Sequence, residues 1–366
     1  MEYLKVKDFA DVITGGTPST TVAEYWENGT IPWIQSGSCK DGIINNADKY
    51  ITEKGLNNSS AKIMPKDTVV IALTGATAGK IGILNIETSA NQSVTGILPN
   101  DKCRPMYLFN YLISIRNKIL SDCYGGAQKH ISQGYVKEML IPVPELSLQD
   151  KIISRISKIS TMIKIKNKQL KRLDELVKSQ FVEMFKNCEI VKLHEIADIT
   201  MGQSPSSSSY NNSGDGIPFF QGKADYGDKF TIVRHWTNQP TKLAYKNDVL
   251  MSVRAPVGPV NISSCDCCIG RGLCAITSKL GLTNNEFLYN ALNTIQDDLS
   301  SKGTGSTFKA ITKDDVYNID LPLAPIELQN KFAEFVKQID KQKFEFEKQL
   351  KKLEELQASL MQEYFG

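Results

Sequence analysis

The sequence predicts an α+β protein: two similar globular domains joined by two long antiparallel helices that pair as a coiled coil, with an approximate two-fold. Three observations carry this expectation. The chain repeats itself from end to end. Each copy opens with short β-branched runs punctuated by Gly, Pro and Asn. Each copy closes with a stretch whose apolar residues recur every three and four positions, the seam of a coiled coil.

The repeat is legible phrase by phrase. Val6-Lys7-Asp8-Phe9-Ala10-Asp11-Val12-Ile13, then Gly15 and Pro18, is answered by Leu193-His194-Glu195-Ile196-Ala197-Asp198-Ile199-Thr200, then Gly202 and Pro205. Ile31-Pro32-Trp33-Ile34-Gln35 returns as Ile217-Pro218-Phe219-Phe220-Gln221, and Tyr107-Leu108-Phe109-Asn110 as Phe287-Leu288-Tyr289-Asn290. Ile141-Pro142-Val143, leading to Gln149 and Lys151, returns as Leu321-Pro322-Leu323, leading to Gln329 and Lys331. The offset drifts between 179 and 187, so the copies differ by small loop insertions. Four segments follow: a first head over 1–146, a spacer helix over 147–186, a second head over 187–326 and a second spacer helix over 327–366.

Within the heads, Thr68–Leu73 and Asp248–Val253 read as strands, and Pro105–Asp122 and Thr283–Ser300 as matching helices. The polar run Ser204–Ser213 reads as a surface loop of the second head. In the first spacer the seam is Ile152, Ile156, Ile159, Ile163, Leu170, Leu173, Val177 and Met184, with Lys166 and Gln180 at two polar positions. In the second it is Phe332, Val336, Ile339, Phe346, Leu350, Leu353, Leu360 and Tyr364, with Lys343 and Gln357 at the same two places. The second helix leaves the second head and has only the first as a comparable partner, so the pair is expected to be antiparallel. Each would span about 60 Å at about 1.5 Å per residue.

Composition sets the outer bounds. Hydrophobic residues make up 41% and charged residues 23% of 366 residues, a globular profile with room for two cores. MEYLKVKDF has no apolar run of the signal-peptide kind, and no stretch approaches a membrane span, so a cytoplasmic location is expected. Net charge is only +3, less than a protein gripping nucleic acid alone usually carries. Either basic groups are concentrated locally or partners share the neutralisation. The first spacer holds ten Lys or Arg against three acidic residues over 151–186; the second holds seven against eight over 327–366. This fits solvated faces with cross-helix pairing, or a basic face turned toward a polyanion.

No catalytic constellation emerges. The three histidines, His130, His194 and His235, form no metal-spaced set, and no metal is expected. Cys265, Cys267, Cys268 and Cys274 cluster, but not in paired C-x2-C spacing, so free thiols are expected. Gly75-Ala76-Thr77-Ala78-Gly79-Lys80 is one residue short of a phosphate loop and continues into Ile81 rather than Ser or Thr, which favours a turn after a strand.

The order head–helix–head–helix, with the phrases Asp11–Ser19, Ile31–Ile34, Leu73–Gly82, Gly125–Ser132 and Ile141–Pro144, resembles the DNA-specificity subunits of type I restriction-modification systems. The second half repeats the resemblance at Gly202–Ser206, Ile217–Phe219, Gly303–Thr312 and Leu321–Leu323, so it covers essentially the whole chain. The resemblance implies that the heads are target-recognition domains reading a two-part target in double-stranded DNA across a fixed gap. It implies partners too: two adenine-methyltransferase subunits, which would carry S-adenosylmethionine, and in the full complex a restriction motor-nuclease subunit. It implies no catalytic site and no cofactor in this chain. Neither a [DNS]-P-P-[YF] motif nor a strand-adjacent G-x-G loop is present.

Two half-sites of different sequence need different side chains on one scaffold, and Arg, Lys, Gln and Asn are the residues that pair with base edges. The candidate DNA contacts are therefore loop residues that differ between copies. Gln128, Lys129 and His130 stand where Phe308, Lys309 and Ala310 stand, with Thr307 alongside; the shared lysine suits a phosphate. Thr74 faces Arg254, and Gln92 faces Arg271. The loop holding Gln35 and Lys40 answers the loop holding Gln221 and Lys223, and Lys80 has no lysine counterpart. The plainer alternative at each position is a solvated side chain. A different ligand class also remains open: a two-headed coiled-coil module holding a protein or glycan, whose binding would survive high salt.

Overall fold

The computed structural model describes residues 2–122, 130–296, 298–299 and 310–366. The chain forms two compact units, Met1–Lys166 with Gln349–Gly366, and Asn167–Lys348. Each unit contains one head and a stretch of both long helices.

In the first unit a central sheet runs in the order Val12–Thr14, Val94–Ile97, Val69–Ala72, Ile81–Leu84, Gly42–Ile44, all antiparallel except the last pair. A smaller sheet runs Lys49–Ile51, Ile31–Ile34, Thr88–Ala90, Ile63–Met64, with Ile31–Ile34 parallel to Thr88–Ala90. Alternation explains why the strand Val69–Ala72 is apolar throughout. Val69 and Ile71 pack with Tyr107 and Leu108 of the helix Pro105–Ser114, while Val70 and Ala72 pack with Ile34, Met64 and Leu84 beneath the smaller sheet. A strand covered on both faces has no polar positions to alternate with.

The second unit repeats the plan. Its central sheet is Ala197–Met201, Leu273–Ser278, Val249–Ser252, Val260–Ile262, and its smaller sheet is Tyr210–Asn211, Trp236–Thr237, Ile217–Phe220, Cys267–Ile269, Leu243–Ala244. Again Val249 and Met251 face one core and Leu250 the other. A short antiparallel pair closes each head: Tyr3–Lys5 with Leu140–Pro142, and Glu189–Lys192 with Asp320–Leu323.

The expected single helix over Pro105–Asp122 is two, Pro105–Ser114 and Arg116–Ser121, meeting at Ile115. Its counterpart Asn285–Thr294 also ends one residue earlier than Ile295. The cause is local. Ser114 Oγ donates to the Tyr111 carbonyl at 2.7 Å, and Thr294 Oγ1 to the Asn290 carbonyl at 2.8 Å. A hydroxyl bonded back to the preceding turn competes with the ladder and bends it.

The long helices are Leu146–Phe185 and Ile326–Phe365. Each is anchored at its first turn by a fully buried glutamine. Gln149 accepts from the Arg104 N–H at 2.7 Å and donates to the carbonyls of Lys102 and Pro144, both at 2.8 Å. Gln329 accepts from the Asn284 N–H at 3.0 Å and donates to Leu282 at 2.9 Å and Ala324 at 2.8 Å. One side chain thus satisfies a helix start, a loop end and a connecting segment that would otherwise be orphaned.

Within each unit the two helical stretches run antiparallel: partners rise in number along one helix as they fall along the other. In the first unit Arg155 donates to Tyr364 Oη at 2.5 Å and Gln357 to Ser160 Oγ at 2.7 Å. In the second Lys343 pairs with Asp174, and Phe332 lies against Phe181 and Phe185 at 5.4 and 5.5 Å between ring centroids. Every seam position named above is buried or half-buried. Two of the polar seam residues, Lys343 and Gln357, find polar partners across the pair.

Phe181, Phe185 and Phe365 lie off the seam and belong to the heads. Phe181 and Phe185 join Phe287 and Phe332 in one aromatic cluster, and Phe365 packs edge-on to Tyr107 and Tyr111. Leu176 and Leu356 do remain exposed. The reason is that a helix at the end of a seam has a second apolar neighbour, the head it serves.

Phe332→Ala should lower stability by about 3–5 kcal/mol, the range for removing a buried aromatic ring. Val182→Ala, at a position 54% exposed, should change it by less than about 0.5 kcal/mol. Midpoints of urea unfolding measured on the two variants check this.

Candidate nucleic-acid interface

In each head one end of the central sheet is organised by the same backbone frame. In the first, Leu73 N–H donates to the Ser93 carbonyl at 2.8 Å and Ile131 N–H to the Leu73 carbonyl at 2.9 Å, with Thr74 bridged to His130. In the second, Val253 N–H donates to Gly272 at 2.9 Å and Ile311 N–H to Val253 at 3.0 Å, with Arg254 bridged to Ala310. The segment after the first strand crosses the same edge: Gly15 lies where a Cβ would come within 2.2 Å of the Ala90 carbonyl, and Gly202 within 2.2 Å of Gly270. Only glycine permits that approach. The smaller sheet adds the next loop, since Asn91 N–H reaches the Ile34 carbonyl at 3.0 Å and Gly270 N–H the Phe220 carbonyl at 2.8 Å.

This frame brings Gln35, Thr74, Gln92 and His130 onto adjoining stretches of the first head, and Gln221, Arg254 and Arg271 onto the corresponding stretches of the second. Thr74 Oγ1 donates to Ser93 Oγ at 2.9 Å, and Gln92 accepts from the Thr17 hydroxyl. Gln35, Gln92, His130, Gln221, Arg254 and Arg271 are exposed. Among the described residues the guanidinium groups of Arg254 and Arg271 make no hydrogen bond, whereas Arg104, Arg116 and Arg234 are each paired.

Lys40 and Lys80 are neighbours. Asp41 N–H donates to the Ile81 carbonyl at 2.8 Å, and Ile81 N–H to Asp41 Oδ1 at 3.1 Å, so the two lysines flank a reciprocal pair. Arg116 braces the same point through Asp41 and the Gly79 carbonyl. The stretch Gly75–Lys80 is a turn between the antiparallel strands Val69–Ala72 and Ile81–Leu84. Lys223 opens a short 3-10 turn, Lys223–Asp225, beside Gln221. Gln128, Lys129, Thr307 and Lys309 lie outside the described residues. Trp33 and Phe219, at matching places in the two copies, are buried, and Trp33 Nε1 donates to the Gly16 carbonyl at 3.1 Å.

Sequence reasoning missed the groups that hold these loops. Lys229 is the clearest. It bonds Glu286 at 3.0 Å and Asp340 at 2.6 Å, tying the loop after Gln221 to a head helix and to the long helix Ile326–Phe365. Burial works to lower the Lys229 pKa, but the two carboxylates outweigh it and the net direction is upward. No repeat marks this lysine, since at the offset that aligns Gln35 with Gln221 its counterpart is Ile43.

All seven described cysteines are free thiols; burial pushes Cys267 and Cys274 up to about 12, which keeps them protonated and unreactive. Among the described residues no cluster of His, Cys, Asp and Glu could hold a metal ion, and no helix is long and apolar enough to cross a membrane.

The type I restriction modification DNA specificity domain matches the chain twice, over residues 1–175 and 186–357. The chain is 36% identical over 287 residues to the MjaX type I restriction enzyme specificity subunit of Methanocaldococcus jannaschii, covering 70% of this chain and 68% of that one. It is 24% identical over 399 residues to the MjaIX specificity subunit of the same organism, covering 98% and 90%. Among solved structures, a chain from a study of complex assembly and conformational transition in a type I system aligns over all of this chain and 97% of its own, with 26% identity and a TM-score of 0.70.

Lys229→Met should cost about 2 kcal/mol by leaving Glu286 and Asp340 facing each other without their cation. Because the Lys229 pKa is raised, its contribution is complete below the ordinary lysine pKa of about 10.4 and fades as pH rises beyond it. The gap between unfolding midpoints of the parent and variant should hold from about pH 6 to 9 and narrow above about pH 10.

Proposed function

Because the chain belongs to the type I restriction-modification DNA specificity family, we propose that each head reads one short stretch of duplex DNA and that the two readings together define a two-part target with a fixed gap. A subunit of this family serves sequence-specific DNA recognition and is not the catalytic component of its enzyme. The chain would direct partner subunits to the target: two adenine methyltransferases, which would carry S-adenosylmethionine, and a restriction motor-nuclease subunit where one is present.

One observation carries this reading. Two edges share a backbone frame hydrogen bond for hydrogen bond, yet differ in the side chains mounted on it: Thr74 against Arg254, Gln92 against Arg271, His130 against Ala310. Gln35 and Gln221 are the common element. Glutamine makes two hydrogen bonds to adenine and arginine two to guanine in the major groove, so a kept frame with changed side chains is how two different half-sites would be read. Lys40, Lys80 and Lys223, beside these edges, would meet phosphates and set register rather than sequence. Gln128, Lys129, Thr307 and Lys309 belong to the same proposal by position in the chain, since the segments holding them re-enter the frame at His130 and Ala310.

Methyladenine mapped across the genome of cells expressing this chain with its methyltransferase should show a two-part motif with a constant gap that vanishes when this chain alone is removed. An unchanged or absent pattern would contradict the reading. In the assembled complex, Arg254→Ala and Arg271→Ala should each weaken binding to the cognate duplex by about 1–3 kcal/mol and relax the base preference in one half only. Lys40→Ala should weaken all sequences alike and lower the slope of log K against log salt by about 1. Titrations at several salt concentrations distinguish the two classes.

A further inference from the structure

We propose that Asp48 and Asp225 are positioning residues for DNA reading, each holding in place the backbone from which its head's glutamine springs; this rests on the function proposed above. Asp48 Oδ2 accepts from the Gln35 N–H at 2.7 Å, and Asp225 Oδ2 accepts from the Gln221 N–H at 2.7 Å. The same carboxylate oxygen also accepts a second hydrogen bond in each head, from the Ser38 hydroxyl in one and from the Gly222 N–H at 3.3 Å in the other.

The need for such a group follows from topology. The strands Ile31–Ile34 and Ile217–Phe220 end at the residue before the glutamine, where the parallel neighbour takes the last carbonyl. The next N–H, that of Gln35 or Gln221, then has no strand acceptor. A charge-assisted hydrogen bond is the strong way to supply one. A glutamine that must present two hydrogen bonds to one base edge tolerates only about 0.5 Å of drift. Fixing its N–H fixes the origin of the side chain.

The two heads reach this contact from unrelated positions. Asp48 lies 13 residues beyond its glutamine, next to the strand Lys49–Ile51; Asp225 lies four beyond, in the same loop, and is buried. At the offset that aligns the two glutamines, Asp48 corresponds to Arg234 and Asp225 to Cys39. Copying of one ancestral contact therefore does not account for the pair. Arg234 itself braces the second loop from the other side, donating to the Ala224 carbonyl at 2.6 Å. The first loop is held by one carboxylate and the second by a carboxylate and a guanidinium, and in both the glutamine side chain is left exposed.

The test maps methyladenine in cells carrying the chain with its methyltransferase, for Asp48→Ala, Asp48→Asn, Asp225→Glu and Asp225→Asn. Asp48→Ala should reduce discrimination at one base of one half-site by roughly 5- to 150-fold, the size of one lost bidentate contact. Asp48→Asn, which keeps an acceptor oxygen, should restore most of it. Asp225→Glu keeps the charge but displaces the oxygen by about one bond length (~1.5 Å), and should relax the other half-site; Asp225→Asn should stay close to the parent. Thermal midpoints of the purified complexes separate this from unfolding, since a structural role alone would lower occupancy of the whole motif without changing any base preference. Unchanged motifs in Asp48→Ala and Asp225→Glu, or equal loss across both halves, overturn the proposal. Absence of any two-part motif with the unaltered chain would overturn the functional reading, and this proposal with it.

Discussion

The buried glutamine at the base of each long helix is the interaction on which the architecture turns. Gln149 and Gln329 each join three backbone groups from three different segments: the start of a head helix, the loop before it, and the link into the long helix. An apolar residue there would leave those groups buried and unpaired, at a cost of several kcal/mol. With the glutamine in place the head and its helix have one relative setting. The aromatic contacts then follow, Phe332 to Phe181 and Phe185 in one unit and Phe365 to Tyr107 and Tyr111 in the other. Each head core is completed by residues from both long helices.

Upon that support the two heads divide their labour between what is repeated and what is not. The repeated part is backbone: the close approach at Gly15 and Gly202, and the bonds through Leu73 and Val253. The unrepeated part is the set of side chains at the frame's edge, together with the devices that brace the loops. An arginine usually finds an internal partner where one is within reach. Arg254 and Arg271 have none among the described residues, on an edge where Arg234 a short distance away is satisfied by a carbonyl. Exposed cations gathered on one edge raise the local positive potential without a strongly basic chain, which is compatible with a net charge of +3.

Much of this was legible in the sequence because duplication doubles every signal. The strand reading at Thr68–Leu73 gains weight from the one at Asp248–Val253, and the seam from Ile152 onward gains weight from the one beginning at Phe332. Gln149 and Gln329 were visible as a repeated pair, but their task was not, since nothing local says that a glutamine on a helix will be buried. The bends at Ile115 and Ile295 escaped notice because serine and threonine are tolerated within helices, and only the hydroxyl's direction decides between tolerance and bending. The place of Phe181 and Phe185 in a head core is not legible from periodicity, which describes one helix and its mate and not the head beyond. Asp48, Asp225 and Lys229 escaped for a further reason: they do related work in one head or both from positions that do not correspond, so comparison of the copies hides them.

On the function proposed above, one frame carries two interchangeable sets of reading side chains. The deciding measurement is the methyladenine motif of a chain carrying Arg254→Thr, Arg271→Gln and Ala310→His together, which gives the second edge those three side chains of the first. One half of the motif should change in sequence while the other half and the gap stay as they were. A motif unchanged in both halves, or altered in both at once, would contradict it.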